Sequence, residues 1–328
     1  MHNSTTPHDG HTTDIDQHDV LEPSHQRPQH PRPMTGRDGW CAPGGANGGR
    51  RTSRFIRRHQ LSWFMALAFL LSWAAWPLVA LNPTSSPLVP FGPLLAAVAI
   101  TAVSSGRDGL RRLLGQLLRW RRATRWYLLA AGMPLAVTMA AAALATAIGG
   151  ASASTTAEDW RVVLATFVST VVLAGLFEEL GWRGYLLPHL LYRLDWLRSA
   201  FIIGVFWALW HLPELLSDPT QQRPPLPFLI GVLAQSVVLA WLYIRTRGSL
   251  PLVILSHATT NTAAQFILPA FTGPNYELIW WFSTGLWVAT AVLVVTVAPL
   301  RPRPSPRLGA ARAAWFYPIN PRTGRELS

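Results

Sequence analysis

Lysine is absent from this chain, so arginine supplies all 28 basic side chains against 16 acidic ones, for a formal charge of +12. Charged residues make up only 13% of the sequence, about half the usual share in globular proteins, whereas 50% of residues are hydrophobic. A soluble protein with this charge would suggest nucleic acid. Here the arginines flank long apolar runs, so membrane orientation explains them better, and we predict no nucleic-acid partner.

Cysteine is almost absent as well. The single Cys41 excludes an internal disulfide framework and any metal site built from several cysteines. The redox compartment therefore stays open.

The two ends of the chain lack apolar periodicity. Residues 1–58 are rich in His, Pro and Gly, and seven of the ten histidines lie at or before residue 59. This composition predicts a disordered tail, with metal collection by the histidines as the alternative. The first apolar run follows too late for a cleavable leader. Residues 301–328, rich in Arg and Pro, predict a second polar tail, which leaves 59–300 as the membrane domain.

Eight apolar runs between the tails predict an all-α, polytopic membrane protein. They are residues 61–81, 88–103, 126–148, 162–181, 199–216, 228–244, 250–270 and 278–300. Between the second and third runs, residues 107–122 place leucines at helical spacing opposite arginines, which predicts an interfacial amphipathic helix.

The arginines also predict the orientation of these spans. Eight spans put both termini on one side, where the flanking segments hold 20 arginines, whereas the opposite side holds only Arg161 and Arg223. By the positive-inside rule, we predict a multi-pass protein of the inner, cytoplasmic membrane with both termini in the cytoplasm.

Charge within the predicted spans is rare, and it is concentrated at the end of the fourth, in the stretch from Phe177 to Pro188. A carboxylate deep in a bilayer costs about 2.5–3.5 kcal/mol, so Glu178 and Glu179 are candidate functional residues. Glu179 and Arg183 share a helix face and are expected to pair. Glu178 is rotated by about 100° from Glu179 and can face a different cavity.

Two further spans carry His211, His257 and Asn261. A rise of about 1.5 Å per residue gives both histidines and Glu178 overlapping depths, which predicts a shared cavity; we expect it to open toward the cytoplasm. Each residue alone also has a structural explanation, as an ion pair or a hydrogen bond between helices. Their combination on three spans, with little else polar at depth, favours a site.

These residues resemble the CPBP family of intramembrane proteases, which includes CAAX prenyl endopeptidases and bacteriocin-immunity proteins. The family has three motifs, Glu-Glu-x-x-x-Arg, Phe-x-x-x-His and His-x-x-x-Asn or Asp, in that order on three membrane helices. In this chain they are Glu178-Glu179-Leu-Gly-Trp-Arg183, Trp207-Ala-Leu-Trp-His211 and His257-Ala-Thr-Thr-Asn261. The second departs from the pattern because Trp207 replaces Phe. An aromatic wall is kept, so the catalytic assignment is left in place while the substrate channel changes.

The resemblance implies hydrolysis of a peptide bond within the membrane. Glu178 is then the base that activates water, His211 assists it, and His257 and Asn261 stabilise the oxyanion. We assign the supporting positions to Glu179, Arg183 and Trp207.

The resemblance also raises the question of a metal, because the family is often labelled metalloprotease. Two histidines and a glutamate suit catalytic zinc, and Glu178, His211 and His257 would be its ligands here. The local His-Glu-x-x-His arrangement is absent, however. We therefore favour a glutamate-and-water mechanism and leave a divalent metal such as zinc open.

Two other classes of function compete with the endopeptidase, whose partners would be the lipid bilayer and a membrane-associated peptide or protein. One is a non-catalytic scaffold or immunity factor that binds a partner in the same cavity. The other is a small proton or cation transporter, which is disfavoured because the chain lacks repeated halves and paired broken helices.

Overall fold

The structure, a computed structural model, describes residues 59–80, 82, 86–149, 159–217, 223–298 and 300. Most of these residues are helical and none lies in a strand, which confirms the all-α class. With the continuous stretches 160–191 and 196–217 each taken as one, the helices are α1 (Gln60–Trp73), α2 (Gly92–Gly115), α3 (Thr124–Gly149), α4 (Trp160–Leu191), α5 (Trp196–Ser217), α6 (Pro225–Arg245), α7 (Leu250–Ile267) and α8 (Pro274–Thr296). The two predicted tails, 1–58 and 301–328, lie outside the described residues.

Six stretches of the described chain are long and apolar enough to cross a membrane: α1 with its continuation to Val79, α3, α4, α5, α6 and α8. The two other predicted spans are also helical. However, α2 runs on into the arginine-bearing segment after Gly106, where φ is 62°, and α7 carries His257, Asn261 and several hydroxyl side chains. Eight membrane crossings therefore remain a prediction.

The predicted amphipathic segment forms the second part of α2 and a following 3-10 turn, Gln116–Leu118. Leu113 on this segment is buried, but Leu118 is 75% exposed. Its apolar face is therefore only partly covered by the described part of the chain, and its location at the lipid interface stays a prediction.

Each helix packs against the next in the order α1, α2, α4, α7, α3, α8, α6, α5. Helix α5 in turn contacts α1, where Trp73 Nε1 donates to the Trp210 carbonyl (3.0 Å). Helix α4 also contacts α5, so it touches both helices that carry the candidate histidines. The packing thus brings the three motif-bearing helices together although they are separated in sequence.

One end of this bundle holds most of the described arginines, and we call it the arginine-rich end. It comprises the ends of α2, α4, α6 and α8 and the starts of α1, α3, α5 and α7. Hydrogen bonds join its connections: Arg119 Nη1 donates to the Arg247 carbonyl (3.2 Å) and Arg122 Nε donates to the Thr246 carbonyl (2.8 Å). These guanidinium groups bind backbone carbonyls left over at a helix end.

The opposite end, the arginine-poor end, is joined in the same way. Trp76 Nε1 donates to Ser217 Oγ (2.6 Å), and Asn275 Nδ2 donates to the Gly149 carbonyl (3.2 Å). Its arginines in the described part of the chain are Arg161 and Arg223.

Gly181, within the first motif, allows α4 to approach α2 closely. A Cβ at this position would lie 2.5 Å from Pro93 Cβ and 2.7 Å from the Pro93 carbonyl carbon and oxygen. We expect Gly181→Ala to destabilise the protein by about 1–3 kcal/mol, since the clash is partly with backbone, which cannot rotate away. The free energy of unfolding in detergent micelles measures the effect.

Gly132 in α3 provides the matched control, because no neighbouring heavy atom lies within 4 Å of its added Cβ. Gly132→Ala is expected to be neutral or to stabilise by about 0.5–1 kcal/mol. Equal stability of the two variants would contradict the close approach of α2 and α4.

Candidate active site

The two adjacent glutamates of α4 lie in different environments. Glu178 is 5% exposed and lines a cavity, whereas Glu179 is fully buried and does not line it. The glutamates stand between two π-helical turns, Val171–Leu176 and Leu180–Leu186. Such turns inside α-helices often occur at functional sites.

Glu179, which lies outside the lining of the cavity, binds the side chains of Arg183 and His257. Its Oε1 accepts hydrogen bonds from Arg183 Nη1 and from His257 Nδ1, both at 2.8 Å. All three side chains are buried. Since the carboxylate accepts, we assign the proton to Nδ1 of His257, which leaves Nε2 as the nitrogen available to the cavity.

Trp207 contacts four other residues of the site, Glu178, Arg183, His211 and His257. Its Nε1 donates to Glu178 Oε2 at 2.7 Å. The guanidinium carbon of Arg183 lies 4.4 Å from its ring centroid. The rings of His257 and His211 lie 5.2 and 5.9 Å away. An indole therefore does what the phenyl ring of the family pattern cannot, because it binds the candidate base directly.

His211 terminates the regular part of α5. Its backbone N–H reaches the Ala208 carbonyl (3.2 Å), and its side-chain Nδ1 lies 2.8 Å from the Trp207 carbonyl. A carbonyl oxygen only accepts, so Nδ1 carries a proton and the neutral ring presents Nε2 as an acceptor. Pro213 follows, has no N–H and prevents the helix from continuing in regular register.

A cavity of about 930 Å³ joins the candidate catalytic residues. Its lining includes Glu178, Trp207, His211, His257 and Asn261. The sequence therefore identified residues that share a cavity, and it separated Glu178, which faces this space, from Glu179 and Arg183, which lie behind it.

The cavity extends in the direction opposite to the one expected. Its other lining residues include Ser86, Glu214, Arg223 and Pro269, which belong to the arginine-poor end. The expectation of an opening at the arginine-rich end, which we placed in the cytoplasm, is wrong. Helix depths alone give no direction, because a cavity at a given depth opens wherever side chains leave space.

The sequence did not reveal two parts of this site. One is the ion pair of Arg223 Nη1 with Glu214 Oε2 (3.2 Å), which lies in the cavity wall. The other is the contact between Glu179 and His257, 78 positions apart, for which no local pattern exists. Neither contact has a sign in the sequence. For the bond between Trp207 and Glu178 the sequence offered one sign, since an indole N–H is a donor able to reach an intramembrane acid.

Burying Arg183 requires compensation, since isolated charges in a low-dielectric interior are costly. Glu179 provides the opposite charge at 2.8 Å and the face of Trp207 provides a cation–π contact. Nε and Nη2 of Arg183 have no hydrogen-bond partner among the described residues. The guanidinium is therefore balanced in charge but not saturated with acceptors.

The proposed metal ligands do not fit a metal as they are placed. Within the described ranges, no three His, Cys, Asp or Glu side chains are grouped so that they could hold an ion. His257 also uses Nδ1 for Glu179, and Glu178 uses one oxygen for Trp207. No catalytic step is therefore assigned to a metal.

Two comparisons with known proteins match part of this chain. Residues 159–263 match the family described as type II CAAX prenyl endopeptidase, Rce1-like. CAAX prenyl protease 2 of Methanococcus maripaludis is 30% identical over 105 residues, which is 30% of this chain and 39% of the relative. The match thus spans well under half of the relative's length. The family match, residues 159–263, runs from the start of α4 into α7 and contains all three motifs.

With its long apolar helices, the chain is a multi-pass membrane protein. The match and the three motifs within it support CPBP-family membership for residues 159–263.

Proposed function

We propose that residues 59–300 form an intramembrane endopeptidase that hydrolyses a peptide bond in a membrane-associated peptide or protein. The observation that carries this proposal is the shared cavity: a carboxylate, two imidazoles and an amide line one space of about 930 Å³ inside an apolar bundle. The relative's name, CAAX prenyl protease 2, points to the same reaction class.

Glu178 acts as the general base in this proposal. It takes a proton from water as the oxygen attacks the peptide carbonyl carbon, and it later delivers that proton to the departing amine. Trp207 holds Oε2 of Glu178 in place. His211, anchored through Nδ1, orients the attacking water with its Nε2.

The tetrahedral intermediate carries its negative charge on the former carbonyl oxygen. Asn261, one turn beyond His257 on α7, donates to this oxyanion through its amide. His257, held by Glu179 at Nδ1, presents its Nε2 to the same oxyanion and donates to it when that nitrogen carries a proton. Glu179 and Arg183 are positioning residues, since they act through His257 and Trp207.

Trp207→Phe tests the positioning of the base. The variant keeps an aromatic ring but loses the N–H that binds Glu178, so we expect kcat to fall about 10- to 100-fold, corresponding to about 1.5–3 kcal/mol for a hydrogen bond to a charged group. KM should change little, because the indole N–H is directed at the carboxylate. Steady-state cleavage kinetics measure both constants.

Trp210→Phe is the matched control, because Trp210 is also buried beside the cavity but its Nε1 has no hydrogen-bond partner in the described structure. This variant is expected to retain most of the wild-type kcat. An equal fall in kcat in the two variants would mean that the volume of the ring, and not the hydrogen bond to Glu178, determines the rate.

A cleavage assay with a chelator tests the proposed function itself. Purified full-length protein in detergent is incubated with a mixture of membrane-derived peptides, with and without exhaustive chelation, and new termini are identified by mass spectrometry. We expect cleavage at the same rate in both samples. Absence of any cleavage would contradict the endopeptidase, and a loss restored by zinc would contradict the metal-free mechanism.

A further inference from the structure

The candidate active-site cavity extends from the catalytic residues in one direction only. Helix α4 lines it with residues 169–178, and α6 and α8 line it with residues 227–235 and 276–287. These three helices start at the arginine-poor end, and the residues that they contribute lie at or before Glu178 in α4 and mostly in the first half of α6 and α8. Helix α7 runs the other way and contributes residues between 257 and 265, mostly in its second half.

The opposite side of the catalytic residues is filled. Leu180, Trp182 and Leu187, which follow the glutamates toward the arginine-rich end, are fully buried. Below them, Gln116 Nε2 donates to the Gly184 carbonyl (3.0 Å) and Gln116 Oε1 accepts from the Tyr243 hydroxyl (2.5 Å). These buried hydrogen bonds join the turn after α2 to α4 and α6 and close this side.

The arginine-poor side, by contrast, gives access to the surface. Ser86, Gln265 and Pro269 line the cavity and are exposed. The side chains of Arg223 and Glu214, which pair at 3.2 Å, are 23% and 18% exposed. The residues that line the cavity are therefore buried near Glu178 and are more exposed and mostly polar at the arginine-poor end.

The charge of the two ends indicates which faces the cytoplasm. Exposed arginines cluster at the arginine-rich end, whereas the described acids at the other end are Asp159, Glu214 and Glu277. The positive-inside rule places the arginine-rich end in the cytoplasm. This assignment follows from side-chain charge, independently of the position of the cavity.

We propose that the cavity opens on the non-cytoplasmic face of the membrane and that the substrate is an extended peptide segment reached from that face. The identity of the cavity as an active site rests on the proposed function, but its direction rests on packing and charge. The substrate class is then a membrane-anchored or translocated peptide whose scissile bond lies in the outer half of the bilayer or at its surface.

Cysteine accessibility tests the direction of the opening. In a Cys41→Ser background, which has no other cysteine, single cysteines replace Ser86 at the mouth, Ser283 in the cavity wall and Ala123 at the arginine-rich end. Each full-length variant with wild-type thermal stability is treated with a membrane-impermeant maleimide in intact spheroplasts and in inverted membrane vesicles.

We expect the Ser86→Cys and Ser283→Cys variants to react in spheroplasts and the Ala123→Cys variant to react only in inverted vesicles. Reaction of the two cavity variants only in inverted vesicles would overturn the proposed face. Reaction of Ser86→Cys, but not of Ser283→Cys, from outside would overturn the continuous opening. Labelling does not depend on catalysis, so these outcomes are separate from a failure of the endopeptidase assay.

Discussion

Glu178→Gln is expected to lower kcat/KM for peptide cleavage by about 10²- to 10⁴-fold, the usual contribution of a general base. The amide has nearly the same shape and can still accept a hydrogen bond from Trp207 Nε1, but it cannot take a proton from water. The thermal stability should therefore stay close to that of the wild type. Initial rates of cleavage by purified protein in detergent measure the loss.

Glu277→Gln is the control for the loss of an acidic side chain, because Glu277 is exposed in the first turn of α8 and does not line the cavity. We expect wild-type rates from this variant. Full cleavage by Glu178→Gln would remove the base from the mechanism. A biological phenotype that survives in this variant would favour the scaffold or immunity factor over the enzyme.

Arg183→Met is expected to destabilise the protein by about 3–5 kcal/mol. Removal of one partner leaves Glu179 buried without its cation, and breaking a buried pair costs this much in other proteins. Methionine fills much of the same volume and keeps a contact with Trp207, so the loss reports charge more than packing. Denaturant titration in detergent micelles gives the free energy of unfolding.

Two further variants separate charge from other effects. Arg193→Met removes an exposed arginine on the segment after α4 and should change stability by less than about 0.5 kcal/mol. The double variant Arg183→Met with Glu179→Gln should be more stable than Arg183→Met alone, since no uncompensated charge remains. If Arg183→Met unfolds no more readily than Arg193→Met, the buried pair does not stabilise the fold.

The sequence predicted the parts of this site that depend on helix geometry. Glu179 and Arg183, four residues apart, pair at 2.8 Å, and Glu178, rotated from them, lines the cavity. These contacts follow from the spacing of side chains along one helix. His211 and His257 stand out as rare polar residues within other spans, and the family resemblance then assigns their roles.

What the sequence could not predict depends on contacts between helices. Nothing in the spacing of residues along α4, α5 or α7 indicates that His257 Nδ1 binds Glu179, or that the indole of Trp207 reaches Glu178. Both contacts depend on how the packed helices are rotated and tilted relative to one another. The sizes of the side chains between the helices determine this packing, as at Gly181, where the absence of a Cβ allows α4 to approach α2.

The number of membrane crossings illustrates a second limit. Helix α7 is predicted as a span from its apolar residues, but its hydroxyl, amide and imidazole side chains lower its mean hydropathy. These polar side chains can be accommodated because they face other helices and the cavity. Hydropathy reports contact with lipid, so a helix buried among other helices is the one for which it is least informative.

The central claim, that Glu178 supports peptide-bond hydrolysis in this cavity, is tested most directly by comparing membrane peptides from cells that express the wild type or Glu178→Gln. Mass spectrometry of termini should find a peptide cleaved only with the wild type, whose uncleaved form accumulates with Glu178→Gln and whose scissile bond lies on the non-cytoplasmic side. The same set of termini in both kinds of cell would contradict the account.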